Sequence, residues 1–101
     1  MSEFIPVAEV GSLAPGCGRT VHARGREFAL WHHDGQYYCL DDQCPHRGGP
    51  LGAGTLNDGQ VCCPLHGWGF DVRDGSCLTR PDRPVKSYPT RVRDGRVEIL
   101  V

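Results

Sequence analysis

The chain alternates short apolar runs with abrupt turn signals and nowhere sustains the periodicity of an amphipathic helix. Segments of strand length, rich in apolar and β-branched residues, run over Phe4 to Ala8, Arg19 to Arg24, Glu27 to His33, Gln36 to Leu40, Gln60 to Cys63, Gly69 to Val72, Val85 to Val92 and Arg96 to Val101. Each is predicted as a β-strand. Asp-Gly pairs at 34–35, 58–59, 74–75 and 94–95 stand between such segments. Asp-Gly accommodates the positive φ values of a tight type I′ turn, so several of these pairs are expected as hairpin tips. The one helix-like piece, Ala8 to Leu13, is stopped by Pro15 and Gly16 and is too short to hold itself. The pattern predicts a mostly β domain.

Two stretches break the alternation. Residues 41–54 contain Gly48, Gly49, Gly52, Gly54, Pro45 and Pro50 but no apolar periodicity, and they carry Cys44 and His46. A long irregular loop in a small domain is either functional or disordered, and ligand-type side chains favour function. Residues 78–84, with Arg80, Asp82 and Arg83, are expected to be a solvated connector. Composition fits this picture: 101 residues with 14 Gly, 8 Pro and 39% hydrophobic residues describe one turn-rich domain, residues 1–101, with a thin core. A large two-domain catalyst is excluded.

The net charge of −1 argues against nucleic-acid or anionic-membrane binding through bulk charge. No apolar stretch approaches the roughly 20 residues of a membrane helix. Glu3, Pro6 and Glu9 stand where a signal peptide would be apolar. The expectation is a soluble cytoplasmic protein whose 6 cysteines are reduced. Cysteines of that kind bind metal, react or fill the core.

Two short motifs decide among these. Cys44-Pro45-His46 and Cys63-Pro64-Leu65-His66 each place a thiolate and an imidazole within a single turn of loop, with proline stiffening the backbone after the cysteine. Either alone is weak. Together, with Gly48, Gly49, Gly52 and Gly54 after the first and Gly67 after the second, they form a strong metal-binding signal of mixed softness. A structural zinc site uses the same residue types, although zinc fingers keep the cysteines on a hairpin and the histidines on a helix, whereas here each motif supplies one of each. A Cys44–Cys63 disulfide is a further, weaker alternative.

Cys44-Pro-His46-Arg-Gly-Gly-Pro-Leu and Cys63-Pro-Leu-His66-Gly-Trp-Gly-Phe-Asp71 resemble the two cluster-binding boxes of the Rieske [2Fe-2S] proteins. The resemblance implies an all-β fold, a Rieske-type sandwich of antiparallel sheets with the two boxes as loops at its tip. It implies that Cys44 and Cys63 hold one iron of a [2Fe-2S] cluster while His46 and His66 hold the other. Neutral imidazoles remove charge from the centre and raise its potential, over roughly −150 to +300 mV, and each keeps a second ring nitrogen able to carry a proton. The respiratory members brace their boxes with a disulfide, whose places are taken here by Gly49 and Leu65; they also place a Ser and a Tyr hydroxyl near cluster sulfur, where Trp68 and Phe70 stand here. Fewer donors to an electron-rich sulfur predict a potential at the low end of the range, below zero.

Large ring-hydroxylating oxygenases carry the same boxes but need a second iron site of two His and a carboxylate. The spare histidines here are His22, His32 and His33, and adjacent strand residues such as His32 and His33 point to opposite faces. The resemblance therefore implies a one-electron carrier, a monomer similar to the small ferredoxins that pass electrons from a flavoprotein reductase to a terminal oxygenase such as a ring-hydroxylating dioxygenase. A second branch is the small subunit of assimilatory NAD(P)H nitrite reductase, which works beside a sirohaem reductase; the tail Val85-Lys-Ser-Tyr-Pro-Thr-Arg-Val-Arg-Asp-Gly-Arg-Val looks closer to it. A redox-sensing domain is a third reading.

The remaining residues have plainer expectations. Cys62 is expected to face away from Cys63 as a small buried hydrophobe. Cys17, Cys39 and Cys77 are core or surface thiols, and Trp31, Tyr37, Tyr38 and Tyr88 packing residues. Trp68 either shields the cluster or fills the core. Arg47 and Leu51 are expected to flank the histidines on a docking surface. Residues 1–72 carry 4 basic and 8 acidic side chains, and residues 73–96 carry 7 and 3. That asymmetry bears on association rate rather than fold.

Overall fold

The computed structural model describes residues 2–45, 48–65 and 67–101; Met1, His46, Arg47 and His66 lie outside the described residues. The described chain forms ten strands in three antiparallel sheets. The central sheet contains β2 (Gly18–Ala23), β3 (Arg26–His33), β4 (Gln36–Asp41) and β8 (Ser87–Tyr88), in the order β2-β3-β4-β8. One flanking sheet is β1 (Phe4–Glu9), β10 (Arg96–Leu100) and β9 (Thr90–Arg93), in that order. The other runs β5 (Thr55–Asn57), β6 (Gln60–Cys62), β7 (Gly69–Asp71). A single 3-10 turn, Leu51–Ala53, precedes β5. No helix among the described residues is long and apolar enough to cross a membrane.

β3 explains the layering. Its run Phe28-Ala29-Leu30-Trp31 is buried at every position. Because strand side chains alternate between faces, Phe28 and Leu30 enter one core with Val21, Cys39, Tyr88, Val97 and Ile99. Ala29 and Trp31 enter the other, with Leu40, Leu51, Val61, Phe70 and Val72. A strand covered on both sides reads as a continuous apolar run, the pattern seen here. The second core also contains Cys44 and Cys63.

Three Asp-Gly pairs are type I′ hairpin tips, with φ of 53° and 78° at Asp34-Gly35, 50° and 78° at Asp58-Gly59, and 51° and 75° at Asp94-Gly95. The fourth pair differs. The Asp74 carboxylate accepts the Ser76 N–H at 2.8 Å, which builds an Asx turn. That donated bond holds the Asp74 carboxyl below its usual range. The β2–β3 tip is instead Arg24-Gly25, with φ of 52° and 71°. The strand expected over Val85 to Val92 is divided into β8 and β9 around Pro89, which has no N–H to give to a ladder.

Candidate metal centre

The first motif lies on the connection from β4 to β5, and the second is the turn joining β6 to β7. Both loops have the same backbone frame. In the first, the Cys44 N–H donates to the Gly49 carbonyl at 2.8 Å and the Gly48 N–H donates back to the Cys44 carbonyl at 2.7 Å. In the second, the Cys63 N–H donates to the Trp68 carbonyl at 2.9 Å and the Gly67 N–H to the Cys63 carbonyl at 3.0 Å. The residue four beyond each cysteine is a glycine in the left-handed region, Gly48 at φ 70° and Gly67 at φ 72°. A side chain is disfavoured at those angles. The two motifs differ in cysteine-to-histidine spacing yet share the frame Cys-Pro-x-x-Gly.

Each cysteine is thereby held at the rim of an apolar core, Cys44 at 2% and Cys63 at 5% exposure. The loops meet at Gly49, where an added Cβ would lie 2.9 Å from Leu65 Cδ1 and 3.1 Å from Cys63 Sγ. The residues that replace the bracing disulfide of the respiratory proteins are thus neighbours, and the sulfur of the second box faces the backbone of the first. No disulfide joins Cys44 and Cys63. Two nearly buried thiols, one per loop, with a glycine cleared to the van der Waals limit between them, fit a compact sulfur-bridged metal group. His46 and His66, the expected nitrogen ligands, and Arg47 lie outside the described residues.

The base of the first loop is fastened by a residue the sequence reading did not single out. Asp42 is 4% exposed, and its carboxylate accepts the Gly52 N–H at 2.8 Å and the Thr20 hydroxyl at 3.0 and 3.1 Å. The only advance signal was the Asp41-Asp42 pair at the head of the loop. The two carboxylates separate in role: Asp41 accepts the Tyr88 hydroxyl at 2.6 Å, with Arg26 donating to the same hydroxyl at 2.7 Å. Burial, then the bond to Asp41, pushes the Tyr88 hydroxyl pKa up.

Two expectations need correction. Leu51 is not on a docking surface; it is 0% exposed and packs in the core with both cysteines. The exposed leucine within the second motif is Leu65. Cys62 faces away from the core as expected but is half-buried rather than buried. In β6 the core-facing position belongs to Val61, and Cys62 lies on the opposite face. The connector at residues 78–84 is exposed along its whole length, as expected, and is also tied to the second loop. The Leu78 N–H donates to the Gly69 carbonyl at 2.7 Å, the Gly69 N–H to Thr79 Oγ1 at 2.9 Å, and the Arg80 guanidinium lies 5.9 Å from the Trp68 ring centre. Trp68 itself is half-buried against the core that holds the cysteines.

Phe70, where respiratory members carry a hydroxyl, is fully buried in that same core and brings no donor to the sulfurs. Cys39 belongs to the opposite core, and burial, reinforced by the Asp41 charge, pushes its thiol pKa up to about 12. It is an inert core thiol.

Comparison with known proteins agrees with this geometry. A family model described as Rieske [2Fe-2S] domain matches residues 3–89. The 3-phenylpropionate/cinnamic acid dioxygenase ferredoxin subunit of Photorhabdus laumondii is 38% identical over 97 residues, covering 94% of this chain and 91% of that protein. A Mycobacterium tuberculosis structure, provisionally described as an NADH-dependent nitrite reductase small subunit, superposes with a TM-score of 0.92 at 28% identity, covering 100% of this chain and 96% of the other. A chain from a complex of reduced oxygenase and oxidised ferredoxin in carbazole 1,9a-dioxygenase superposes with a TM-score of 0.86 at 28% identity over 95% of this chain and 91% of that one.

Proposed function

Because the chain belongs to the Rieske [2Fe-2S] domain family, we propose that it is a one-electron carrier whose cluster is held by Cys44 and Cys63 on one iron and by His46 and His66 on the other. The observation that carries this reading is the meeting of the two loops, with Gly49 against the Cys63 sulfur. When bound, such a cluster supplies a single reversible electron. The chain's own part is to hold and shield. The backbone bonds to Gly49 and Trp68 fix the two cysteine positions, and the apolar core of Leu51, Val61, Phe70 and Val72 keeps water from the sulfur side. The Gly49 and Leu65 contact, with no covalent brace, sets the spacing of the loops.

The electron would come from a flavoprotein reductase and pass to a terminal oxygenase; the oxygenase half of that route is supported by the dioxygenase named for the ferredoxin relative and by the oxygenase and ferredoxin complex named for carbazole dioxygenase. The catalytic step belongs to that partner, and the carrier works as a monomer. A nitrite-reductase role is the second reading, favoured by the superposition along the whole chain on the Mycobacterium tuberculosis structure. With Phe70 and Trp68 in place of hydroxyl donors, the potential falls below zero. Redox titration of the purified protein checks this, and a strongly positive midpoint would contradict it. The two partner readings separate in reconstituted turnover: reductase-dependent ring hydroxylation with an oxygenase supports the first, and electron delivery to a sirohaem subunit alone supports the second.

A further inference from the structure

The buried carboxylate of Asp42 has no part in the ligand set, yet it governs the loop that carries Cys44. Chain length alone keeps the two Cα atoms within about 7 Å. The Asp42 carbonyl accepts the Leu51 N–H at 2.6 Å, and its carboxylate accepts the Gly52 N–H at 2.8 Å, so a single residue ties the beginning of the loop to its end. The Thr20 hydroxyl, donating to both carboxylate oxygens, ties that closed loop to β2 of the central sheet. The fit is close: a Cβ on Gly52 would lie 2.6 Å from the Thr20 nitrogen. Both partners donate, the pattern an ionised carboxylate satisfies without a proton of its own. Among the described residues Asp42 forms no ion pair.

Building on the reading that Cys44 holds iron, we propose that Asp42 is a positioning residue with two effects: it clamps the first cluster loop in its binding shape, and its buried charge holds the centre toward the oxidised state. Charge acts strongly across a few ångströms of protein interior. A reduced cluster carries one more electron, and a fixed anion two residues from its ligand opposes that electron. The clamp and the charge can be separated by substitution. Asparagine keeps an oxygen for the Gly52 N–H and a polar group for the Thr20 hydroxyl while removing the charge. Alanine removes both. Thr20→Val keeps the charge and removes one donor.

The test measures two quantities on purified holoprotein: the midpoint potential and the time over which acid-labile sulfide is lost in air. Asp42→Asn is expected to retain its sulfide and to shift the midpoint positive. Asp42→Ala is expected to lose sulfide several-fold faster than wild type, and Thr20→Val faster than wild type with no positive shift. An unchanged or more negative midpoint in Asp42→Asn, or a wild-type sulfide lifetime in Asp42→Ala, would overturn the proposal. A positive shift in Thr20→Val equal to that of Asp42→Asn would do the same, because loosening alone would then account for the potential. Cys44→Ser separates this from the ligand reading. If that variant purifies without sulfide, the ligand reading stands and the Asp42 results judge the clamp alone. If it keeps full sulfide, the ligand reading fails, and the proposal with it.

Discussion

At the scale of single residues, the site depends on what is left out as much as on what is present. Gly49 has no room for a methyl group: the nearest atoms to an added Cβ are the flexible Leu65 Cδ1 at 2.9 Å and the fixed Cys63 sulfur at 3.1 Å. Leucine can swing aside; a sulfur that held metal could not. Gly49→Ala should therefore fold, as judged by circular dichroism, but bind iron and sulfide at well below wild-type stoichiometry. Full loading in that variant would show that the loops do not meet as described. Thiol chemistry gives a second check. The Cys39 thiol stays protonated until about pH 12, whereas an unfolded cysteine ionises near 8.5. Brief alkylation at pH 9 followed by mass spectrometry should mark the exposed Cys17 and spare Cys39. Because the folded-state value is raised, the protonated thiol's contribution to stability is complete below the unfolded pKa and is lost as pH climbs toward 12, by about 1.4 kcal/mol per pH unit within that window. Rapid Cys39 labelling at pH 9 would mean that the core opens far more often than its packing implies.

The strands and turns show where sequence patterns were sufficient. The four-residue run Phe28 to Trp31 announced β3, and three Asp-Gly pairs announced their hairpins, since in each case the local signal and the tertiary demand coincide. β5, with only Thr55 to Asn57, carried no such signal, because a three-residue strand gains its identity from pairing with β6. Arg24-Gly25 turned without Asp, and Asp74-Gly75 capped a loop instead of a hairpin; the same dipeptide serves either purpose according to what lies on its two sides. At the site, the cysteine boxes were legible as spacing. The burial of Leu51 and the choice of Asp42 over Asp41 were not, because both depend on how a long irregular loop folds back onto β2. The two faces of the central sheet lead to an element-level prediction. Phe28→Ala and Phe70→Ala each remove a fully buried ring and should each cost about 3–5 kcal/mol in denaturant unfolding. Of the two, only Phe70 shares a core with Cys44 and Cys63, so only Phe70→Ala should also change the visible spectrum of the cluster. Equal spectral changes in both variants would contradict the division of the cores.

On the scale of the whole molecule, one central sheet serves two neighbours. The β1-β10-β9 sheet completes a hydrophobic core remote from the chemistry, while the β5-β6-β7 sheet and the β4–β5 connection present the two cysteine loops at one end. The exposed connector at residues 78–84 is fastened beside them by Thr79 and by Arg80 over Trp68, which brings part of the basic segment to the same end as the site. Under the proposed function, this end would carry the redox group and catalysis would fall to a docked partner. The proposed function requires mixed ligation, with Cys44 and Cys63 on one iron and His46 and His66 on the other. The most direct measurement is pulsed electron paramagnetic resonance on dithionite-reduced protein grown with nitrogen-15 histidine. The account predicts coupling to two imidazole nitrogens, one of them lost in each of His46→Cys and His66→Cys. A reduced cluster with no histidine coupling, or a colourless protein holding zinc and no labile sulfide, would contradict it.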